Sequence, residues 1–297
     1  MTGAEKGFLL LTCRLGNPDR KVLSTPQLRI LGQRARQMPS CDPERELHTE
    51  DLHKIGYGED MARRIVALLD EEELLEYYCL QALKKDCACL SRVSAAYPAT
   101  LRKMLGDDSP GCLWAKGDLS LLSMPKIALV GSRELNGQNR AFAEEVGRQA
   151  ARQGYALVSG NARGADKTAQ DACLAAGGQV ISVVADRLDS HRVKENVLYL
   201  SEEGFDCPFS AQRAISRNRV IHALAEKTFV VQCGYQTGGT WDGTVKNLRF
   251  GYSAVYCFAD GSPAQQLLEQ MGAESIALEQ LADLSCLQKL NRGFFDQ

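Results

Sequence analysis

Two patterns divide the chain. Up to about residue 95 the apolar positions recur at helical spacing. Ser24-Thr25-Pro26 reads as a helix start, a hydroxyl cap followed by proline in the first turn. Thr49 before Glu50-Asp51-Leu52 reads as another. Ile55-Gly56-Tyr57-Gly58 is a tight turn, and beyond it Met61, Ile65, Leu68 and Leu69 share one helical face. Glu71 to Glu73 and Glu76 form a solvated face on its continuation. Residues 96–123 hold Pro98, Pro110, Gly111 and Gly117, which predicts a loop-rich connector.

From Lys126 the pattern changes to short, near-continuous apolar runs alternating with amphipathic stretches. The runs are Ile127–Val130, Ala156–Val158, Val180–Val184, Thr228–Val231 and Ala254–Phe258, with Ser275–Leu278 as a last candidate. The stretches between them predict helices through Phe142, Val146 and Ala150, over about Asp166 to Gly177, over Ala211 to Glu226, up to Phe250, and from Pro263. Residues 186–210 read as irregular. Near-continuous apolar runs of four or five residues suit strands buried on both faces, and their alternation with helices predicts an α/β fold with a parallel sheet covered on both sides. The expected organisation is a helical domain over 1–95, the connector 96–123, a Rossmann-like domain over 124–285, and a tail over 286–297 with no winged helix after it.

Composition narrows the picture. The chain has 297 residues, 44% hydrophobic and 24% charged, as for an ordinary globular protein. No apolar run is long enough for a transmembrane helix, and Phe8–Leu11 is too short for a secretory signal core. Eleven cysteines without an export signal are expected to be reduced, cytoplasmic thiols. The formal net charge is −2 and there is no basic tail. Any polyanion site must therefore be a patch assembled by folding.

The loops that follow three of the strands carry the chemistry. They are Gly131-Ser132-Arg133, Ser159-Gly160-Asn161-Ala162-Arg163-Gly164-Ala165-Asp166, and Cys233 to Thr240 with Gly238-Gly239-Thr240. Each puts glycine and hydroxyl residues at a strand-to-helix turn, at the carboxyl edge of the sheet where ligands of such folds bind. Glycine lets backbone amides approach an oxyanion, a helix N-terminus favours negative charge, and arginine can fork onto phosphate. One such loop is compatible with an ordinary turn; three on one sheet edge predict a phosphate cradle. Asp166 is expected to cap the helix after Gly164 or to orient Arg163. Arg213 and Arg217 lie one turn apart on a helix face, and Arg217-Asn218-Arg219 adds a further basic element. Neither the GxxxxGK[ST] nor the G-x-G-x-x-G nucleotide fingerprint is present.

Gly131-Ser132-Arg133, the Ser159-Gly-x-Ala-Arg-Gly-x-Asp166 string and Arg217-Asn218-Arg219, in this order and spacing, resemble the DprA (Smf) family of DNA-processing proteins. Tyr97-Pro98 and Trp114-x-Lys116-Gly117-Asp118-Leu119 are similar to that family's entry into its central domain. The resemblance covers about residues 10–280. It implies an extended Rossmann-like domain preceded by a small helical domain, SAM-like or helix-hairpin-helix-like. It implies binding of single-stranded DNA during natural transformation, hand-over of that DNA to RecA, a homodimer, and no catalysis or cofactor. It places the DNA pocket at Arg133 and at Arg217 or Arg219. The chain departs from the family pattern at Asn161, Ala165, Ala259-Asp260-Gly261 and Gly238–Trp241, as a divergent, short member would.

The rival class is a nucleotide phosphoribohydrolase of the Lonely Guy type, which carries PGGxGTxxE. The nearest string here, Gly238 to Asn247, has longer spacing and no glutamate after Thr244; Asp242 precedes the Gly-Thr step. A nucleotide-sensing module without catalysis is the other alternative. No metal site is expected. His48, His53, His191 and His222 have no spaced ligand partners, and Cys87-x-Cys89 lacks the further pair that zinc needs. Cys173, Cys233 and Cys257 lie in core-like runs as small apolar filler. The turn at Ile55–Gly58 resembles a helix-hairpin-helix.

Overall fold

The computed structural model describes residues 1–38 and 47–287. Of the tail expected over 286–297, residues 288–297 lie outside the described residues. The chain forms two compact units. One comprises Met1–Lys116 with Arg187–His191 and Ser201–Cys207; the other comprises Gly117–Asp186, Arg192–Leu200 and the chain from Pro208 on.

The first unit is largely helical: α1 (Gly3–Thr12), α2 (Thr25–Ala35), α3 (Thr49–Lys54), α4 (Glu59–Leu69) and α5 (Glu72–Leu83). Ser24 caps α2 with its hydroxyl and Pro26 stands in the first turn, as the sequence predicts. Leu11, Leu28, Leu31, Leu52, Ile65 and Leu68 close one core between α1, α2, α3 and α4. Arg20 is buried beneath them, its guanidinium donating to the Leu10 and Leu68 carbonyls and pairing with Glu71. Two strands follow, β1 (Cys87–Ser91) and, after α6 (Ala99–Leu105), β2 (Cys112–Gly117), which pair antiparallel with Cys89 opposite Trp114. The stretch 96–123 thus carries a helix and a strand. Its prolines and glycines sit at the ends of these elements, and Leu113 and Trp114 between them are fully buried.

The second unit is the α/β layer. Its strands are β3 (Lys126–Val130), β4 (Ala156–Ser159), β5 (Gln179–Val183), β6 (Val197–Ser201), β7 (Lys227–Val230), β8 (Ala254–Phe258) and β9 (Glu274–Ile276), and they lie side by side as β6-β5-β4-β3-β7-β8-β9. Every neighbouring pair among them is parallel. β3 and β4 are buried along their whole length, as their unbroken apolar runs require. The helices are α7 (Gly137–Arg152), α8 (Ala165–Ala175), α9 (Ala211–Ser216), α10 (Asn218–Leu224), α11 (Gly238–Phe250) and α12 (Pro263–Gln270). Phe142, Val146 and Ala150 are the buried stripe of α7.

Besides the helix and strand within 96–123, two further features differ from the sequence reading. The region 186–210 is not wholly irregular, because Val197-Leu-Tyr-Leu-Ser201 forms β6. The run is short, and the chain enters it through Asn196 at φ +60, a turn that no glycine or proline announces. The single helix expected over Ala211–Glu226 is two helices, α9 and α10, which meet at Arg217.

Candidate functional site

The chain runs β3 to β6 in one direction across the sheet and then returns to place β7 on the other side of β3. The loops that leave β3 and β7 therefore diverge, and a crevice opens between them at the carboxyl edge, the usual ligand position in such sheets. A cavity of about 510 Å³ occupies that crevice, within the range of small-molecule and nucleotide sites. Its floor is Gly131-Ser132-Arg133 after β3, and one wall is Gly238-Gly239-Thr240 at the start of α11.

These two loops are tied together. The Ser132 amide donates to Gln232 O at 2.7 Å, and the Thr240 hydroxyl donates to Gly131 O at 3.0 Å. The third loop, 159–166, docks on the first through the Ala165 amide, which donates to Ser132 O at 3.0 Å. Gly164 stands at that contact with φ +87, and a Cβ there would collide with the carbonyls of Ser132 and Arg133. Glycine is required both by the backbone angle and by the close approach.

Asp166 organises the loop from inside. Its Oδ2 accepts from the Gly160 amide at 3.0 Å and from the Ala162 amide at 3.2 Å. Burial pushes its carboxyl up; the positive charge of Arg217, the two amides and Arg133 oppose that. The expectation that Asp166 caps the helix after Gly164 or orients Arg163 is therefore corrected: it accepts from amides ahead of the helix, and its charged neighbours are Arg217 and Arg133. Arg163 is turned away, within 3.6 Å of Glu134 on the surface.

Arg217 lies across Gly160 so closely that no side chain larger than hydrogen fits beneath its guanidinium. It is 8% exposed and reaches the cavity wall from the junction of α9 and α10. Next to it, Asn218 Nδ2 donates to Gly239 O at 2.9 Å and links α10 to α11. Arg213 has a different role. Its Nη1 is buried and donates to the Ala185 carbonyl at 2.7 Å and the Pro208 carbonyl at 2.8 Å, which anchors α9. The break between helices at Arg217 separates the two arginines that the sequence places on one face.

Of the residues singled out in the sequence, Gly131, Ser132, Arg133, Asp166, Arg217, Asn218, Gly238, Gly239 and Thr240 line the cavity. Ser159 does not: it is buried, and its hydroxyl accepts from Gln170, which also bonds Ser182. Gly160 lies behind Arg217. Arg163 and Gly164 line a separate groove, and Arg219 is half-buried outside both. The amides of Ser132, Gly160 and Ala162 are occupied within the protein. The positive character of the cavity accordingly comes from two guanidinium groups and from the N-terminus of α11, whose first amides have no partner inside the helix.

The opposite wall is apolar and was not legible in the sequence. Phe209, 57% exposed, and Ile215, 49% exposed, stand on it with Ala211 and Ala214. Tyr235, 55% exposed, projects from the β7 loop beside Trp241. An exposed aromatic ring that lines one cavity with arginines, as Phe209 does, is a part from which sequence-tolerant base stacking is built.

Beneath the cavity a buried polar cluster fixes α10 against α11. His222 Nδ1 lies 3.2 Å from both Thr228 Oγ1 and Asn247 Nδ2, and Asn247 donates to Ser253 Oγ at 2.9 Å. Burial holds His222 down to about 3. It is neutral near pH 7, as an acceptor facing an amide donor must be. Among the described residues that line the cavity, Asp166 is the only carboxylate; Asp242 of α11 is exposed. Among the described residues no cluster of three His, Cys, Asp or Glu side chains could hold a metal ion, and no helix is long and apolar enough to cross a membrane.

Known proteins place this arrangement. The model of the DNA recombination-mediator protein A family matches residues 88–249. The chain is 34% identical over 152 residues to the DNA processing protein DprA of Streptococcus pneumoniae, which covers 48% of this chain and 53% of that one. It is 32% identical over 157 residues to the DNA processing protein DprA of Bacillus subtilis, covering 49% and 52%. These matches span about half the length of the relatives. The X-ray structure of DprA from S. pneumoniae superposes with a TM-score of 0.72 at 24% identity, covering 95% of this chain and 97% of that one. DprA from Helicobacter pylori, whose structure addresses a single-stranded DNA binding mode, superposes with a TM-score of 0.54 at 23% identity over 64% and 90%. The matched span includes β3, α8, the Arg217 junction and the start of α11, the elements that build the cavity, and with it the chain belongs to the DNA recombination-mediator protein A family, DprA/Smf.

Proposed function

We propose that the cavity between the β3 and β7 loops binds single-stranded DNA without sequence preference and without catalysis. One observation carries this reading: two arginines, a helix N-terminus and an exposed apolar patch line one crevice. The polar side suits phosphates, and the Phe209–Ile215 side suits unstacked bases. The H. pylori relative is described by its single-stranded DNA binding mode.

A phosphoribohydrolase needs a carboxylate at the glycosidic bond. Asp166 accepts two backbone amides and is buried, so it is committed to holding the loop. The same reading makes the chain a cytoplasmic homodimer that acts in DNA uptake and passes its strand to RecA. The surface for self-association is the exposed Phe250 beside Tyr252, together with α12.

The test is equilibrium binding of labelled oligothymidylate, blunt duplex and nucleoside monophosphates, with free base monitored in parallel. Tight single-strand binding with no base released is expected. Equal or tighter binding of duplex, or release of base, would overturn the proposal.

A further inference from the structure

Arg133 faces two ways. Besides the cavity it lines a second groove, of about 750 Å³, between α7 and α8. Four more cations line that groove: Arg140 and Arg148 from α7, Arg163 and Lys167 from α8 and its loop. Arg140 and Arg148 are two turns apart on one face of α7, about 12 Å by helix rise. That is the length of about three stacked nucleotides at roughly 3.4 Å each.

The groove also holds acidic residues, but they leave an excess of positive charge. Lys167 pairs with Asp171 at 2.6 Å, Arg148 with Glu145 at 2.8 Å and Glu144 at 3.6 Å, and Arg163 with Glu134 at 3.6 Å. Apart from Glu145, whose side chain is 18% exposed and holds Arg148, these pairs are solvent-exposed; the Arg163–Glu134 side chains are 78% and 88% exposed. Exposed pairs contribute little and exchange readily for a stronger anion. Arg140 is exposed and forms no ion pair among the described residues.

We propose that this groove carries the continuation of the DNA strand, with Arg133 as the pivot between a base-holding cavity and a phosphate-tracking channel. The inference rests on the single-strand reading of the cavity. Among the described residues that line the groove there is no aromatic ring, so it holds backbone and leaves bases in solvent. A short strand fills the cavity alone; a longer one gains the groove.

The test compares oligothymidylates of about four and about twelve nucleotides on the full chain, lengths set by the groove's span. The variant is Arg140→Glu, and the control is Arg152→Glu, the same charge change on the same helix outside the groove. The groove variant is expected to bind the short strand like the parent and the long strand about tenfold more weakly for each phosphate that is no longer held. The slope of its log affinity against log salt should fall by about 0.7 per phosphate. If the long strand is bound as tightly as by the parent, the channel is overturned and the cavity reading stands. If both strands weaken equally, or if Arg152→Glu weakens the long strand as much, the effect is the general field of the protein and the channel is likewise overturned. If the parent binds neither strand, the cavity reading fails first.

Discussion

Gly160→Ala tests the placement of Arg217 without touching a charged residue. A Cβ at Gly160 would coincide with the Arg217 guanidinium, far inside the 3.4 Å of an ordinary carbon contact. The backbone of Gly160 is not in the left-handed region, so alanine is tolerated by the main chain. The guanidinium is the part that yields, and it must leave both the cavity wall and the neighbourhood of Asp166. Removing one charge-assisted hydrogen bond to phosphate costs about 1.5–3 kcal/mol, which weakens single-strand binding about 10–150-fold. Asp166 loses its leading opposite charge, so its carboxyl rises further and the loop is less stable. The assay is fluorescence anisotropy with labelled oligothymidylate, alongside thermal melting. The diagnostic is a double-mutant cycle. With Arg217→Ala in place the added methyl meets no guanidinium, so Gly160→Ala should then cost almost nothing more. Parent-like affinity in Gly160→Ala, or fully additive losses in the double variant, would refute the reasoning.

Further outcomes follow from the same geometry. Asp166→Ala leaves the Gly160 and Ala162 amides without their acceptor; at about 1–3 kcal/mol per buried group it should lower the melting temperature by roughly 10 °C, and an unchanged melting curve would contradict this. His222, held down to about 3 by burial, refuses a proton that the unfolded chain binds below its ordinary value near 6.5. Its contribution is therefore complete above about pH 6.5 and is lost on acidification through that window, by up to about 1.4 kcal/mol per pH unit. Urea midpoints across pH should show this slope, flattened in His222→Gln. Phe209→Ala should weaken single-strand binding by about 1–3 kcal/mol through lost stacking while leaving the salt slope unchanged, because every phosphate keeps its partner; a changed slope would assign Phe209 another role. Phe250→Asp should shift the mass measured by light scattering from dimer to monomer, and a persistent dimer would move the self-association surface elsewhere.

The sheet and the edge that carries the site were legible in the sequence because strands buried on both faces read as unbroken apolar runs. Ile127–Val130 and Ala254–Phe258 needed no tertiary information. The three glycine loops were legible because a strand-to-helix turn concentrates small and hydroxyl residues. β6 was missed because Val197–Ser201 is short and its leading turn uses Asn196 in place of glycine. The break at Arg217 was missed because Ala211–Glu226 keeps helical spacing on both sides of it, and only tertiary partners reveal that Arg213 is consumed by the Ala185 and Pro208 carbonyls. The direction of a side chain was the least legible property. Nothing local distinguishes Arg163, which faces the α7–α8 groove, from Arg133, which faces both sites. The apolar wall was hidden for a related reason: Phe209 looks like any core phenylalanine until folding leaves it exposed.

The central claim is that the β3–β7 cavity grips the phosphates of a single strand through Arg133. Its most direct measurement is a salt titration of oligothymidylate affinity for the parent, Arg133→Ala and Arg133→Lys. The account predicts about 10–150-fold weaker binding for Arg133→Ala, a log–log salt slope shallower by about 0.7, and partial recovery in Arg133→Lys, which keeps the charge without the fork. A folded Arg133→Ala protein with the parent's affinity and the parent's slope would contradict it.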